Sequence, residues 1–437
     1  MSKSKRSNKL SVGIVGTGIA GMGCAHFLQK SHEIFLYEKN DYIGGHTNTV
    51  GVEEDGREIP VDTGFMVYNE VTYPNLTRLF RELRVETKNT SMSFSVQHVP
   101  SGLEYCGSSL NHLFAQRRNL FSPAFIKMLM DIHRFNAESP EVLENEKFAE
   151  HTIGDYMRER RYGLDVIEKY LIPMSSAVWS TPPDQMLRFP AVTLVRFFKN
   201  HGFLGMNTQH QWRTVVNGTR KYREALVAPF IKKIRTGNPV MRVIRKNGKV
   251  ELRFKDGKRA IHDRVILACH ADEALEMLHK PTAAEKRLLK EFTYQHNAAT
   301  LHTDHRMMPK TKLAWSSWNY RLDADRKGNS TPSTIYFMNS LQGLTAKRNY
   351  FVSINDPGLV EPGSVIKVID YTHPIFSLGA IKAQKELPRL NSEGPVYFCG
   401  SYFKYGFHED AFTSALELCR KLQEEPIWKD DEAGTRL

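Results

Sequence analysis

The chemistry in this chain begins with its glycines. Gly16-Thr17-Gly18-Ile19-Ala20-Gly21 follows a short apolar run. In such a block the first glycine allows a tight turn and the second lets the backbone approach a pyrophosphate. The third lets the next helix lie against a sheet. A helix starting there offers unpaired amides and a partial positive charge to phosphate oxygens. Glu38 ends the next apolar run, where its carboxylate would accept hydrogen bonds from ribose hydroxyls. This combination predicts a dinucleotide site. Lys39 follows, and Gly44-Gly45-His46-Thr47 then gives a second close backbone approach to a pyrophosphate, which an ordinary nicotinamide dehydrogenase does not need. Gly64-Phe65, in Val61-Asp62-Thr63-Gly64-Phe65, is a further glycine turn able to run beside a flat ring.

Ordered elements must hold these residues. Residues 10–15 read as a buried strand, and the helix after it carries Met22, Ala25, His26 and Leu28. Residues 34–37 read as a second strand, so the chain opens as a βαβ unit. Residues 71–202 read as mostly helical, with Ser122 as an N-cap and Pro123 at the first helical position. From 239 to 268 the pattern alternates as strands, punctuated by Asn247-Gly248 and Asp256-Gly257. A strand-rich stretch covers about 298–371, an apolar strand covers 396–399, and a final helix covers about 410–422.

Composition sets the outer limits. The 437 residues are 41% hydrophobic and 11% aromatic, enough for a large core, which excludes global disorder. No apolar run is long enough to suggest a membrane-spanning helix, and residues 1–9 are polar and basic, unlike a secretory leader. The five cysteines are odd in number and widely spaced, without CxxC. They point to a reducing compartment, and neither a disulfide framework nor a metal site is expected. The net charge of +12 suggests acidic partners. Its basic residues are dispersed and no nucleic-acid motif appears, so no nucleic-acid partner is expected.

On the glycine blocks, the chain resembles the flavin amine oxidase and phytoene desaturase superfamily. That resemblance implies non-covalently bound FAD and an adenine-contacting valine on a late strand, matched by Val240. It also implies a C-terminal block at Gly400-Ser401 and Gly406-Phe407-His408-Glu409-Asp410. There a glycine meets the pyrophosphate or ribityl chain, and a helix start directs amides at the flavin pyrimidine. Ser401 departs from the pattern, since an acidic residue often follows that glycine. With Asp62-Thr63-Gly64-Phe65-Met66-Val67-Tyr68-Asn69, Leu301-His302-Thr303-Asp304 and Trp315-Ser316-Ser317-Trp318-Asn319-Tyr320, the chain is similar to one branch. Its members are FAD/NAD-binding oxidoreductases often encoded beside cyclopropane-fatty-acid synthases.

The implied fold class is α/β: a Rossmann-like, glutathione-reductase-type FAD-binding domain with a discontinuous α+β substrate domain, amine-oxidase-like. The expected FAD-binding domain is 10–70, 212–285 and 392–425. The substrate domain is 71–211 and 286–391, with tails at 1–9 and 426–437. The implied enzyme is an FAD-dependent oxidoreductase of oxidase or desaturase type acting on a fatty-acyl lipid. A flavin amine oxidase and a non-catalytic FAD-binding partner of a lipid methyltransferase stand as alternatives.

No catalytic triad, HExxH or paired-carboxylate motif is present, so candidates near the ring come from the strand-rich region. A loose alignment brings His302, Asp304 or His305 there, and a histidine beside a carboxylate can act as a base. His408 is a further catalytic candidate. Trp179, Trp315 and Trp318 are expected to line an apolar tunnel. Apolar stretches at 121–135, preceded by Arg117-Arg118, and at 194–204 suit an interfacial helix on anionic phospholipid. The expected setting is cytoplasmic, peripheral at the inner face of the membrane, with a lipid methyltransferase as a partner.

Overall fold

Short, continuously apolar runs build the central layer. Ser11–Val15, Glu33–Tyr37, Arg264–Leu267 and Val396–Phe398 are runs of this kind, and Val12, Ile14, Leu36, Val265, Ile266, Leu267 and Phe398 are fully buried. A strand covered on both faces requires this composition, and parallel strands occur almost only when so covered. The strands form a five-stranded parallel sheet. Its order is Ile234–Arg235, Glu33–Tyr37, Ser11–Val15, Arg264–Leu267, Val396–Phe398. The helix Ile19–Leu28 connects the first two strands of the sequence and packs against the closing helix His408–Leu422. The structure, a computed structural model, describes residues 9–205, 208–324, 330–423 and 427–428. Most of the expected tails therefore lie outside the described residues. Trp428 is docked, its ring edge-on to Phe27 at 5.4 Å.

The hairpin signals hold. Val240–Lys246 and Lys249–Phe254 pair antiparallel up to Lys246 opposite Lys249, with Asn247 (φ 51°) and Gly248 (φ 74°) as the two turn residues. Two successive positive φ values define the turn that matches strand twist. Arg259–His262 completes this three-stranded layer.

A seven-stranded sheet forms the other large layer. Its order is Val365–Ile375, Thr293–His302, Phe351–Ile354, Ser330–Phe337, Trp318–Ala324, Phe94–His98, Leu103–Cys106. Every pairing is antiparallel except that of Trp318–Ala324 with Phe94–His98. Here the helical reading of 71–202 needs correction, because strands occupy Thr87–Thr90, Phe94–His98 and Leu103–Cys106. Met92, Phe94 and Val96 alternate with polar residues, a period of two that belongs to a strand. One helix, Pro74–Glu82, precedes these strands and the others follow from Leu110 onward; Ser122 Oγ accepts from Phe125 N (3.3 Å) at the start of Pro123–Glu138. Trp212–Val215 pairs with Tyr68–Asn69 and Thr87–Thr90. Among the described residues no helix is long and apolar enough to cross a membrane.

Candidate active site

A cavity of about 860 Å³ opens where the C-terminal ends of the parallel strands meet the seven-stranded sheet. That is the expected place for a ligand in an open α/β sheet. Gly16, Gly18, Ile19, Ala20, Glu38, Lys39, Gly45 and Val240 line one end. Gly16 is glycine because the protein requires it: φ is +101° and a Cβ would lie 2.6 Å from the Ala268 carbonyl oxygen. Gly18 is different. A Cβ there meets nothing within 4 Å, and φ (−62°) suits any residue. The space kept clear at Gly18 serves something outside the chain. Gly18 is also the N-cap of Ile19–Leu28 and provides no side-chain cap, which leaves helix amides free toward the cavity. Gly45 brings the second glycine block alongside, since its Cβ would come within 3.3 Å of Gly18 Cα.

Glu38 is buried beside this turn. Its Oε2 accepts from Thr17 N (2.9 Å) and Thr17 Oγ1 (2.7 Å), and its Oε1 accepts from Asn40 N (3.0 Å). A carboxylate oxygen has two acceptor positions, so capacity remains for ligand hydroxyls. Lys39 is paired with Glu273 across the rim. Glu38→Ala removes both the ligand acceptor and the partner of two backbone amides. A charged hydrogen bond is worth about 1.5–3 kcal/mol, so roughly a tenfold to hundredfold loss of nucleotide affinity is expected. A lower melting temperature should accompany it, and Glu38→Gln should restore most of the stability. Unchanged affinity in a reconstitution titration would place the ribose partner elsewhere.

The opposite wall comes from the C-terminal block and the turn at Gly64-Phe65. Gly400, Ser401, Gly406, Phe407 and His408 line the cavity there. His408 stacks on Phe65 with ring centroids 3.9 Å apart, and its Nε2 shares a hydrogen bond with the Tyr222 hydroxyl (2.6 Å) and lies 3.2 Å from Thr47 Oγ1. Burial lowers the His408 pKa to about 3, so the imidazole is neutral. Thr47 thus supports His408 from behind, bonded also to Tyr222.

His46 stacks on Tyr371 and lies 5.1 Å, centroid to centroid, from His373. Burial holds His46 well below its usual pKa, and its buried Nε2 has no partner in the protein. Asn297 Nδ2 donates to His373 Nδ1 (2.7 Å), and burial brings His373 to about 4. His270 stacks on Tyr294 and meets Thr372 Oγ1 at 3.1 Å. Neutral imidazoles can donate or accept a hydrogen bond.

A third stretch of wall is aromatic. Trp179, Phe197, Phe203, Trp212, Trp318 and Tyr336 line it together with Met92 and Leu341. Phe197 stacks on Phe407 at 5.0 Å, and Trp179 Nε1 donates to the Tyr405 carbonyl (3.3 Å). The charged residues of the cavity wall are Glu38, Lys39, Glu273, Glu276 and Asp370, and none belongs to this stretch.

Several expected site residues lie elsewhere. His302 is buried in the seven-stranded sheet, its Nε2 bonded to Ser353 Oγ (2.7 Å) and its ring stacked on Phe351. Asp304 forms an ion pair with Arg306 (2.7 Å) and accepts from Glu361 N. The guanidinium holds its carboxyl far below the usual range. Both are satisfied within the protein and neither lines the cavity. Trp315 donates to the Pro309 carbonyl and packs against Phe337 and Phe351, away from the cleft. Glu409 accepts from Asn75 N and Leu76 N, capping Pro74–Glu82. Asp410 Oδ2 accepts from Phe407 N and Tyr405 N and fixes the turn before its own helix. Gly21 packs against the Gly16 carbonyl, and Gly44 N lies 3.4 Å from Thr17 Oγ1. Sequence reasoning missed His270, Tyr371 and His373. Tyr371 and His373 had a usable signal, since alternate positions of a strand share a face.

Comparison with known proteins agrees with this geometry. The sequence pattern of the family described as Flavin containing amine oxidoreductase matches residues 19–342. A 91-residue stretch is 35% identical to 15-cis-phytoene desaturase of Synechococcus elongatus, covering 20% of this chain and 18% of that protein. The chain therefore matches under a fifth of that curated relative's length. Two solved structures share the fold over 95% of this chain and 99% of theirs. They are a CLA-producing fatty acid isomerase from P. acnes (TM-score 0.67, 13% identity) and cyclohexylamine oxidase from Brevibacterium oxydans (TM-score 0.66, 15% identity). The open cradle at Gly18, the uncapped helix start and the unpartnered His46 Nε2 suit FAD as the occupant.

Proposed function

The chain belongs to the flavin containing amine oxidoreductase family and is an FAD-dependent oxidoreductase; from that premise we propose that its substrate is an apolar acyl chain of a lipid, which it oxidises or desaturates. The observation behind this reading is the aromatic wall without a charged residue. An ammonium substrate would lose its hydration there with no carboxylate in return. Aromatic faces offer about 0.5–2 kcal/mol to a cation, less than the several kcal/mol that burying the charge costs. An acyl chain has no charge to desolvate on entering and is stabilised by about 25 cal/mol for each Å² of apolar surface buried.

Bound FAD supplies the two-electron acceptor. The chain's own residues do the rest. Gly16, Gly18, Gly45 and the start of Ile19–Leu28 would hold the pyrophosphate, Glu38 would accept from the ribose, and Val240 would serve the adenine. Amides at the start of His408–Leu422 would serve the pyrimidine end of the ring. Trp179, Phe197, Trp318 and Tyr336 exclude water from the substrate. His46, kept neutral by burial and with its Nε2 unpartnered, can accept a proton in passing in the cleft. An allylic or branched position is the expected site of oxidation, because a flavin is a weak oxidant for an unactivated alkane C–H. A lipid methyltransferase that makes methyl-branched or cyclopropane chains is the proposed functional partner.

Anaerobic mixing of the holoprotein with unsaturated or methyl-branched phospholipids tests the proposal. The expected result is bleaching of the flavin absorbance and a lipid product two hydrogens lighter. Bleaching by a primary or secondary amine, with no lipid active, would transfer the assignment to amine oxidation.

A further inference from the structure

We propose that the face formed by helices Leu110–Leu113 and Pro123–Glu138, with the turn Arg117–Phe121 between them, docks on an anionic lipid surface. This face is unlike the rest of the surface. Phe121 is 88% exposed, Leu110 72%, Leu164 71% and Met130 67%, with Leu120 and Ile126 also exposed. A single exposed apolar residue needs no explanation, but a contiguous group marks an interaction surface.

The group is contiguous. Phe114, following the first helix, packs edge-on against Phe125 of the second with ring centroids 5.7 Å apart. Ile126 and Met130 are four residues apart, on one side of their helix. Gly163, immediately before Leu164, donates through its amide to Asp131 Oδ2 (3.4 Å), and the turn Leu164–Val166 packs on the same helix.

Charge selects the partner. Residues 105–130 include no Asp or Glu, and their charged residues are Arg117, Arg118 and Lys127; the carboxylates at the Leu164 edge, Asp131 and Asp165, are paired with Arg134 and Lys169. Arg117 donates to Asn111 and to the Phe114 carbonyl, and Arg118 donates to the Gly102 carbonyl. Among the described residues none of the three cations has a carboxylate partner. Their charge therefore remains uncompensated beside the exposed apolar residues. A second copy of this chain would bring the same cations face to face, at a repulsive cost. An anionic phospholipid surface neutralises the cations and accepts the apolar side chains below its headgroups. This inference is independent of what the cleft takes.

Flotation of the holoprotein with phosphatidylcholine vesicles, with and without phosphatidylglycerol, tests it. Flotation is expected only with phosphatidylglycerol, and it should fall in about 1 M salt, where the screening length is about 3 Å. Phe121→Ser with Met130→Ser should lower partitioning at least about tenfold, with FAD content unchanged. Ile261→Ser, at another exposed apolar position, should float as well as the parent. Phe121→Trp should shift its emission to the blue when phosphatidylglycerol vesicles are added. The proposal is overturned by absence of flotation, by flotation that survives the double serine variant, or by a tryptophan that does not shift. A vesicle-free dimer abolished by Phe121→Ser would also overturn it and assign the face to self-association.

Discussion

Gly18→Val is expected to give a folded protein that purifies without flavin. Most glycines of a nucleotide-binding turn cannot separate folding from binding. Gly16 is one of these, because a Cβ there runs into the Ala268 carbonyl at a φ that L residues avoid. At Gly18 the protein leaves open space and ordinary backbone angles, so the added side chain meets only what the cleft holds. A branched side chain in the pyrophosphate position prevents close approach of phosphate to the helix amides. A loss of about a hundredfold or more in FAD affinity follows, equivalent to about 2.7 kcal/mol. Thermal unfolding of the apo forms should differ little between parent and variant. A yellow Gly18→Val protein with unchanged affinity would mean that the pyrophosphate does not pass this turn.

The second large effect is acid lability. Burial lowers His201, His262, His302 and His373 to about 4, and His408 to about 3. In the unfolded chain each returns to about 6.5. Between these values the unfolded chain binds more protons than the folded one, so stability rises with pH through this window. The stabilisation is complete above about pH 6.5 and is lost as pH falls toward 4. Asp62 and Asp410 oppose this, raised by burial to about 6 and about 7. A raised carboxyl favours the folded state as pH falls, but these are two groups against five. Each pKa unit is about 1.4 kcal/mol, so the net loss is on the order of several kcal/mol. That is comparable with the whole stability of a typical protein, about 5–15 kcal/mol. A pH titration followed by near-ultraviolet circular dichroism and flavin release should show cooperative unfolding near about pH 5. Native signal and bound flavin retained at about pH 4 would refute this reading.

The parts of the fold legible in sequence were those set by local geometry. The Gly16 turn, the Asn247-Gly248 hairpin and the Ser122 cap each depend on residues a few positions apart. The first part of the nucleotide end was legible for the same reason, since Gly16, Gly18 and Glu38 lie in or directly beside one βαβ unit. The substrate end depends on how far along each strand the cleft reaches, which local pattern does not encode. On Thr293–His302 the cleft is lined by His296. His302 is six residues further along, about 20 Å at 3.3 Å per residue, and its polarity is absorbed by Ser353 and the Asp304 amide. Trp318 and Trp315 divide in the same way: the strand residue faces the cavity, and the loop residue closes a separate small core with Phe337 and Phe351. His270 was unreadable because it is the N-cap of the helix Ala271–Met277 and meets Thr372 of Val365–Ile375 only in the folded chain.

The order of the parallel sheet imposes a timetable on biosynthesis. Ser11–Val15 lies between Glu33–Tyr37 and Arg264–Leu267, and the sheet ends at Val396–Phe398. The first strand therefore leaves the ribosome with only one of its two neighbours available. The wall of the cleft at Gly400 and His408 is translated after all five strands of the sheet. At about 5–20 residues per second, the nascent chain spends tens of seconds with a half-built nucleotide cleft. The complete cleft is consequently open to the cofactor only after the helix His408–Leu422 has emerged and packed against Ile19–Leu28.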